Sequence, residues 1–380
     1  MTTYCLTLLA ALGPNPQVSD GYPMPLQLTV ECRKAPAPFR FGKRKYLVYE
    51  LDVTSHDSSP LQFRRIDVRG SSSGDVVASW SSDVLEGVLA NVPASAETPL
   101  DALPSGASKT IYCWVELDAK RPTPRSLTHK LVFDPTAKGM GVRFLVTPPI
   151  QVGNDDIPVV GRPLEGGHWI AVNGPSNTSL HRRAMFALSC RLWIGQRFAI
   201  DYVRVDAQGQ THRGDPKDNR SYHCYGRDVF AAASGTVVSA TNDIPENVPG
   251  PDRAIPMNEQ TIAGNHVIIQ QGPSVYACYA HMIPGSVRVK VGQRVRRGQL
   301  LGKVGNSGNS GEPHLHMHLC DRPSFVRSEG IPYVLDSFLA QATVVPNPAD
   351  LIFLAAPDSQ PRRHRNELPL EDWMLTFDRP

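Results

Sequence analysis

Residues 312–319 read Glu-Pro-His-Leu-His-Met-His-Leu, with His314, His316 and His318 at every second position. On an extended strand successive side chains alternate between faces, so the three rings project to one side at intervals of about 6–7 Å. A helix would splay them. Two same-face imidazoles suit one site, where one binds a metal and its neighbour handles protons. Alternation alone fits a packed polar strand face equally well. The surrounding residues favour a site. Turn-rich Gly305-Asn-Ser-Gly-Asn-Ser-Gly311 precedes the strand, His281 sits in Tyr279-Ala-His-Met282, and Asp201 closes Arg197-Phe-Ala-Ile-Asp201. Zinc hydrolysis needs about three protein ligands drawn from His and carboxylate, an open water position and a proton-transfer group. This inventory nearly supplies them.

The strand reading extends to the whole chain. Of 380 residues 41% are hydrophobic and 20% charged, enough apolar material for packed cores. The 34 Pro and 30 Gly interrupt long helices almost everywhere, so the fold class is mostly β. A net charge of +3 gives no excess for binding a phosphate backbone, which disfavours nucleic acid as a partner. No run approaches the eighteen or so apolar residues of a membrane-spanning helix. Seven cysteines (Cys5, Cys32, Cys113, Cys190, Cys224, Cys278 and Cys320) form no CxxC pair, and most sit in apolar runs where a buried small hydrophobe is the default.

Residues 1–24 read either as a signal segment or as a frayed terminus. Tyr4–Leu12 has the length of an export signal's apolar region, but Met-Thr-Thr supplies no basic flank. From 25 to 150, apolar runs such as Tyr46–Val53 alternate with period two between polar turns, which predicts a β-sandwich. Its histidines, His56 and His129, stand alone. Pro, Gly and Asp concentrate over 151–167, the expected linker, and 168–345 forms the second domain. Residues 346–380 read as a loosely packed tail rich in Pro, Arg and acidic residues.

Over Arg191–Asp321 the sequence resembles the lysostaphin/LytM-type zinc endopeptidases, which cut peptide cross-links of bacterial peptidoglycan. The matching motifs occur in the family's order: Ala233-Ser-Gly-Thr-Val-Val238, Gly264-Asn-His-Val-Ile-Ile269, Tyr279-Ala-His-Met282, the hairpin Val291-Gly-Gln-Arg-Val-Arg-Arg-Gly-Gln-Leu-Leu301 and Pro313-His-Leu-His316. The resemblance implies a lysostaphin-like antiparallel β-sheet domain (a duplicated hybrid motif), a Zn2+ cofactor and a peptidoglycan or other peptide substrate; a periplasmic or extracellular location is expected if Tyr4–Leu12 is a signal. It makes Asp201 and His316 metal ligands and His281 and His314 the catalytic pair. His318 falls outside the family pattern and is assigned to structure or to support of the ligands.

One departure stands out. The family's HxxxD motif places its first ligand at position 197, here Arg197, a permanent cation. Either another histidine completes the triad, or metal binds weakly, or catalysis is lost. His181 is the first candidate for a third ligand; His212 and His223, in the long connection Tyr202–Arg227, come second. Arg197 is then free to contact substrate carboxylate or Asp201. A second long connection, Asn242–Ala263, reads as a rim loop. The competing function is a catalytically inactive module that binds cell-wall peptide or regulates a partner hydrolase. A biotinyl or lipoyl carrier is excluded by the absence of the swinging-lysine turn, and a phosphate cradle at Gly305–Gly311 by the lack of a P-loop Lys.

Overall fold

The computed structural model describes residues 25–94, 97–134, 141–154, 156–347, 352–356 and 360–378. The signal-or-frayed reading of 1–24 lies outside the described residues. The fold is mostly β, as the breaker-rich composition implies. No helix among the described residues is long and apolar enough to cross a membrane.

The chain divides into two compact units. The first, 25–38 with 46–154, packs two antiparallel sheets. One runs in the order Leu28–Cys32, Arg44–Ser55, Ser108–Asp118, Leu89–Val92; the other runs Arg143–Val146, Ser126–Asp134, Leu61–Gly70, Val76–Ser81. Alternation sets what is inside: Leu47, Tyr49, Leu51 and Val53 point into one core with Phe63, Ile66 and Val68 of the opposite sheet. Both histidines of this unit have structural surroundings. His56 reaches Thr29, while fully buried His129 bonds the Tyr49 hydroxyl at 2.7 Å.

The second unit comprises 39–45 and 156–378, and is built on an eleven-stranded sheet. Its middle strands, in spatial order, are Gly235–Thr241, Asn265–Gly272, Val275–Met282, Leu315–Cys320, Ile200–Arg204, Gly166–Val172, Trp373–Phe377 and Phe338–Asn347, all antiparallel to their neighbours. Leu315–Cys320 is buried along its whole length, because side chains cover both faces of the sheet. Two segments carry more structure than their composition suggests. Within 151–167, Val159–Val160 pairs with Val334–Leu335 and Leu164 is fully buried. Within 346–380, Trp373–Phe377 joins the large sheet, burying Leu375 and Phe377. The strands in these segments are short and set among charges, too brief to produce a period.

Among the described residues no two cysteines form a disulfide, and Cys113, Cys224, Cys278 and Cys320 are buried.

Candidate metal centre

Three adjacent strands deliver the site. In the register Asp201 stands directly opposite His316, and Ala280 flanks His316 on its other side, so His281 follows at the end of the neighbouring strand. His281 adopts a left-handed backbone, φ 64°, a strained conformation for a residue with a side chain. Val172 pairs with Asp201, so the chain leaving that strand at Asn173 runs past the carboxylate. Asn173, also left-handed at φ 48°, donates from Nδ2 to Asp201 Oδ2 at 3.0 Å. Its carbonyl accepts from Ser179 Oγ at 2.7 Å and from His181 Nδ1 at 2.8 Å. The four-residue helix Leu180–Arg183 thus brings His181 to the site.

The tautomers follow from the partners. His181, His281 and His314 each place Nδ1 2.8 Å from a backbone carbonyl, of Asn173, Ser307 and Glu312 respectively. A carbonyl oxygen only accepts, so Nδ1 carries the proton and Nε2 is the atom left to serve a metal or substrate. His181 Nε2 lies 3.2 Å from Asp201 Oδ2, and His314 Nε2 lies 3.3 Å from Oδ1. His316 alone turns Nδ1 to the carboxylate, at 2.9 Å, because its Nε2 is bonded to His318 Nδ1 at 2.9 Å. The donor atoms of His181, Asp201 and His316 lie within 4.8 Å of one another, as do those of His281, His314 and His316.

Burial works against the Asp201 carboxylate, yet the charges of His181 and His314 overcome it and hold its pKa well below the usual range. Burial likewise opposes the charged forms of His181 and His314, but Asp201 outweighs it and raises both. His316 is pushed down to about 4, chiefly by burial. His281 is held well below the ordinary value by burial and by repulsion from His314 and His316. An anion ringed by four imidazoles in a buried pocket is the charge pattern of a cation site.

These residues line a cleft of about 390 Å³ with Phe325 and Glu312. Arg253 and Ile262, from the connection expected to form a rim, also line it. Two sequence expectations are corrected. Arg197 contacts neither substrate space nor Asp201: it stands in the turn before Ile200–Arg204, buried, with its guanidinium 2.5 Å from Glu329 and 2.8 Å from the Gly330 carbonyl. The physical reason is that buried Glu329 offers the planar cation a carboxylate partner away from the cleft. His212 and His223 do not reach the cleft either; His212 packs on Tyr222 and His223 lies 3.6 Å from Asp206. The sequence reading missed Asn173, whose only signal was the turn dipeptide Asn173-Gly174, and Glu312, whose pKa burial raises at the cleft wall.

Residues 221–326 match the model of peptidase family M23. The chain carries an M23 peptidase domain. The matched stretch contains His281, His314 and His316, while Asp201 and His181 lie upstream of it. Over 128 residues the chain is 33% identical to the peptidoglycan DD-endopeptidase ShyA of Vibrio cholerae, covering 33% of this chain and 27% of that protein. It is 30% identical over 145 residues to endolysin 2638A of Staphylococcus phage 2638A, covering 34% and 29% respectively. The alignments thus span less than a third of the length of these relatives. The catalytic domain of lysostaphin from Staphylococcus simulans aligns at 23% identity and a TM-score of 0.20, over 33% of this chain and 86% of that one.

Proposed function

We propose that the M23 domain is a zinc-dependent endopeptidase acting on peptide cross-links of peptidoglycan. One observation carries the reading: His181 Nε2, His314 Nε2 and His316 Nδ1 converge on a single carboxylate, Asp201, at 2.9–3.3 Å, at the wall of an open cleft. The donor set fits the metal. Two neutral imidazoles and one carboxylate form a catalytic-type zinc triad, and His181 supplies the imidazole that position 197 lacks.

His181 Nε2, Asp201 and His316 Nδ1 would hold the ion, with Asn173 orienting both His181 and Asp201. Bound zinc supplies a Lewis acid that polarises a carbonyl and acidifies a water. His281 and His314, with Nδ1 anchored on backbone carbonyls, turn their Nε2 atoms toward the same space. They take the proton from the attacking water, steady the oxyanion and return the proton to the leaving amine. Arg253 and Ile262 at the rim select the peptide. The name of the ShyA relative, a peptidoglycan endopeptidase, supports a cell-wall substrate. Such a substrate requires the chain to act outside the cytoplasm.

Zinc stoichiometry on purified full-length chain tests the reading. Read in a Cys278→Ser background, so that the buried sulfurs take up no zinc, the chain binds about one zinc, and His181→Ala and His316→Ala lose it together with hydrolysis of purified peptidoglycan, while Arg197→Lys keeps both. Full zinc and hydrolysis in His181→Ala would remove that residue from the site. Peptidoglycan binding without zinc or hydrolysis in wild type would establish the inactive module instead.

A further inference from the structure

Behind the cleft, the same sheet face carries a second set of metal-binding atoms. Cys278 pairs with His318 across adjacent strands, and Cys320 lies two residues further along. All three are fully buried. Their donor atoms, two sulfurs and a ring nitrogen, lie within 4.8 Å of one another. The sulfurs are 3.6 Å apart. Two thiolates on one tetrahedral zinc, each at about 2.3 Å, stand about 3.8 Å apart, so the pair already has that spacing. Around them lie the apolar side chains of Ala263, Ile268, Ala280, Phe325 and Val326, and the charge that acts on Cys320 is that of its chain neighbour Asp321. Two thiolates and a divalent cation sum to zero charge, the form such surroundings tolerate.

An independent observation points to a ligand. His318 Nε2 is buried and has no hydrogen-bond partner, an unusual state for a polar atom in a core. The hydrogen-bond chain explains what that atom is. The Asp201 carboxylate accepts only, so His316 gives it Nδ1–H and accepts at Nε2 from His318 Nδ1–H. A neutral ring carries one N–H, which leaves His318 Nε2 as a bare lone pair.

We infer that Cys278, His318 and Cys320 form a second site, for a thiophilic divalent cation such as Zn2+, which competes with the cleft site through the His316–His318 hydrogen bond. Binding releases the two thiol protons to solvent and replaces the Cys320 thiol's 3.0 Å bond to the Arg322 carbonyl. The competition rests on the assignment of His316 above as a ligand through Nδ1. A cation there requires His316 to carry its proton on Nε2 and donate it to His318 Nδ1. The proton of His318 then sits on Nε2 and blocks the sulfur site. Filling both sites would demand that one ring lose its last N–H.

Cobalt is the probe, because thiolate-to-cobalt charge transfer absorbs strongly in the near ultraviolet and the cleft site has no sulfur. Co2+ is titrated into reduced, metal-free, full-length chain. The charge-transfer band should appear in wild type and vanish in Cys278→Ser and Cys320→Ser. It should persist in Asp201→Asn with a higher plateau absorbance than in wild type, because a cation in the cleft no longer keeps part of the protein out of the sulfur-bound form. Absence of the band in wild type, its survival in Cys278→Ser, or isolation of the pair as a disulfide two mass units lighter overturns the site. An unchanged plateau in Asp201→Asn overturns the competition. Hydrolysis by Asp201→Asn is read separately, so loss of the peptidase assignment would leave the meaning of the band unchanged.

Discussion

Arg197 shows what one substitution in a motif means once its surroundings are known. Its guanidinium and the Glu329 carboxylate are both about 1% exposed, so neither charge has water to fall back on. Removing one partner strands the other. Arg197→Ala should destabilise the second unit by about 3–5 kcal/mol, read by chemical denaturation, while zinc per folded chain stays the same. The pair Arg197→Leu with Glu329→Leu should recover most of that loss. A substrate contact would instead raise KM at unchanged stability. His129 gives a pH prediction in the first unit. Burial lowers its pKa to about 3, against an ordinary value of 6.5. Between those values the unfolded chain binds the proton and the folded chain does not. Stability therefore falls as pH drops below 6.5, by about 1.4 kcal/mol per unit until pH approaches 3. His129→Gln should flatten that slope in urea denaturation at pH 7, 6, 5 and 4.

The site depends on elements that hold histidines by their backs. His281 is oriented by the Ser307 carbonyl, and the loop carrying Ser307 is pressed against Gly264 at the start of the strand Asn265–Gly272. Gly264 has φ +58°, and a Cβ there would stand 2.4 Å from the Ser307 oxygen, a backbone atom that cannot swing aside. Gly264→Ala should therefore cost about 1–3 kcal/mol and, under the proposed role of His281, lower kcat more than KM, since it moves that ring and leaves the rim in place. Gly272→Ala, with nothing within 4 Å of its Cβ, is the control and should change neither. Much of this layer was legible beforehand. The period-two histidines and the Gly-Asn strand start declare strands because alternation and turn residues are local properties, whereas the expected hairpin after Val291 divides, Arg294–Val295 pairing with Gly235–Thr241 and Leu300–Lys303 with Asp228–Phe230. The loop-to-loop contact of Gly264 with Ser307 spans 43 residues of sequence, and no local pattern announces it.

At the scale of the molecule the division of the chain is not the division of the sequence. Residues 39–45 belong to the second unit although the first resumes at 46. Phe39, fully buried, sets its ring edge to Phe198 at 5.6 Å, and Phe41 stacks on His364 at 4.9 Å. Phe39→Ala should thus destabilise the second unit by about 3–5 kcal/mol. Hydrogen exchange should rise in Val275–Met282 and Leu315–Cys320 with little change in Ser126–Asp134 of the first unit. Exchange rising only in Ser126–Asp134 would assign Phe39 to the other core.

By itself the sequence determined that this protein is mostly β and carries an M23 peptidase domain, and it singled out Asp201, His281, His314 and His316 as candidates for one site. Those conclusions rest on short-range facts: side-chain alternation on a strand, breakers between strands, and motifs in fixed order. The tertiary structure alone decided that His181 comes to Asp201, that Asn173 aligns the two, that Arg197 turns away to Glu329, and that His318 bridges the cleft to a buried cysteine pair. Each of these depends on which strands are neighbours and in what register. Pairing across a sheet is set by the packing of the whole core, so residues 20 to 132 positions apart meet for reasons that no single segment contains.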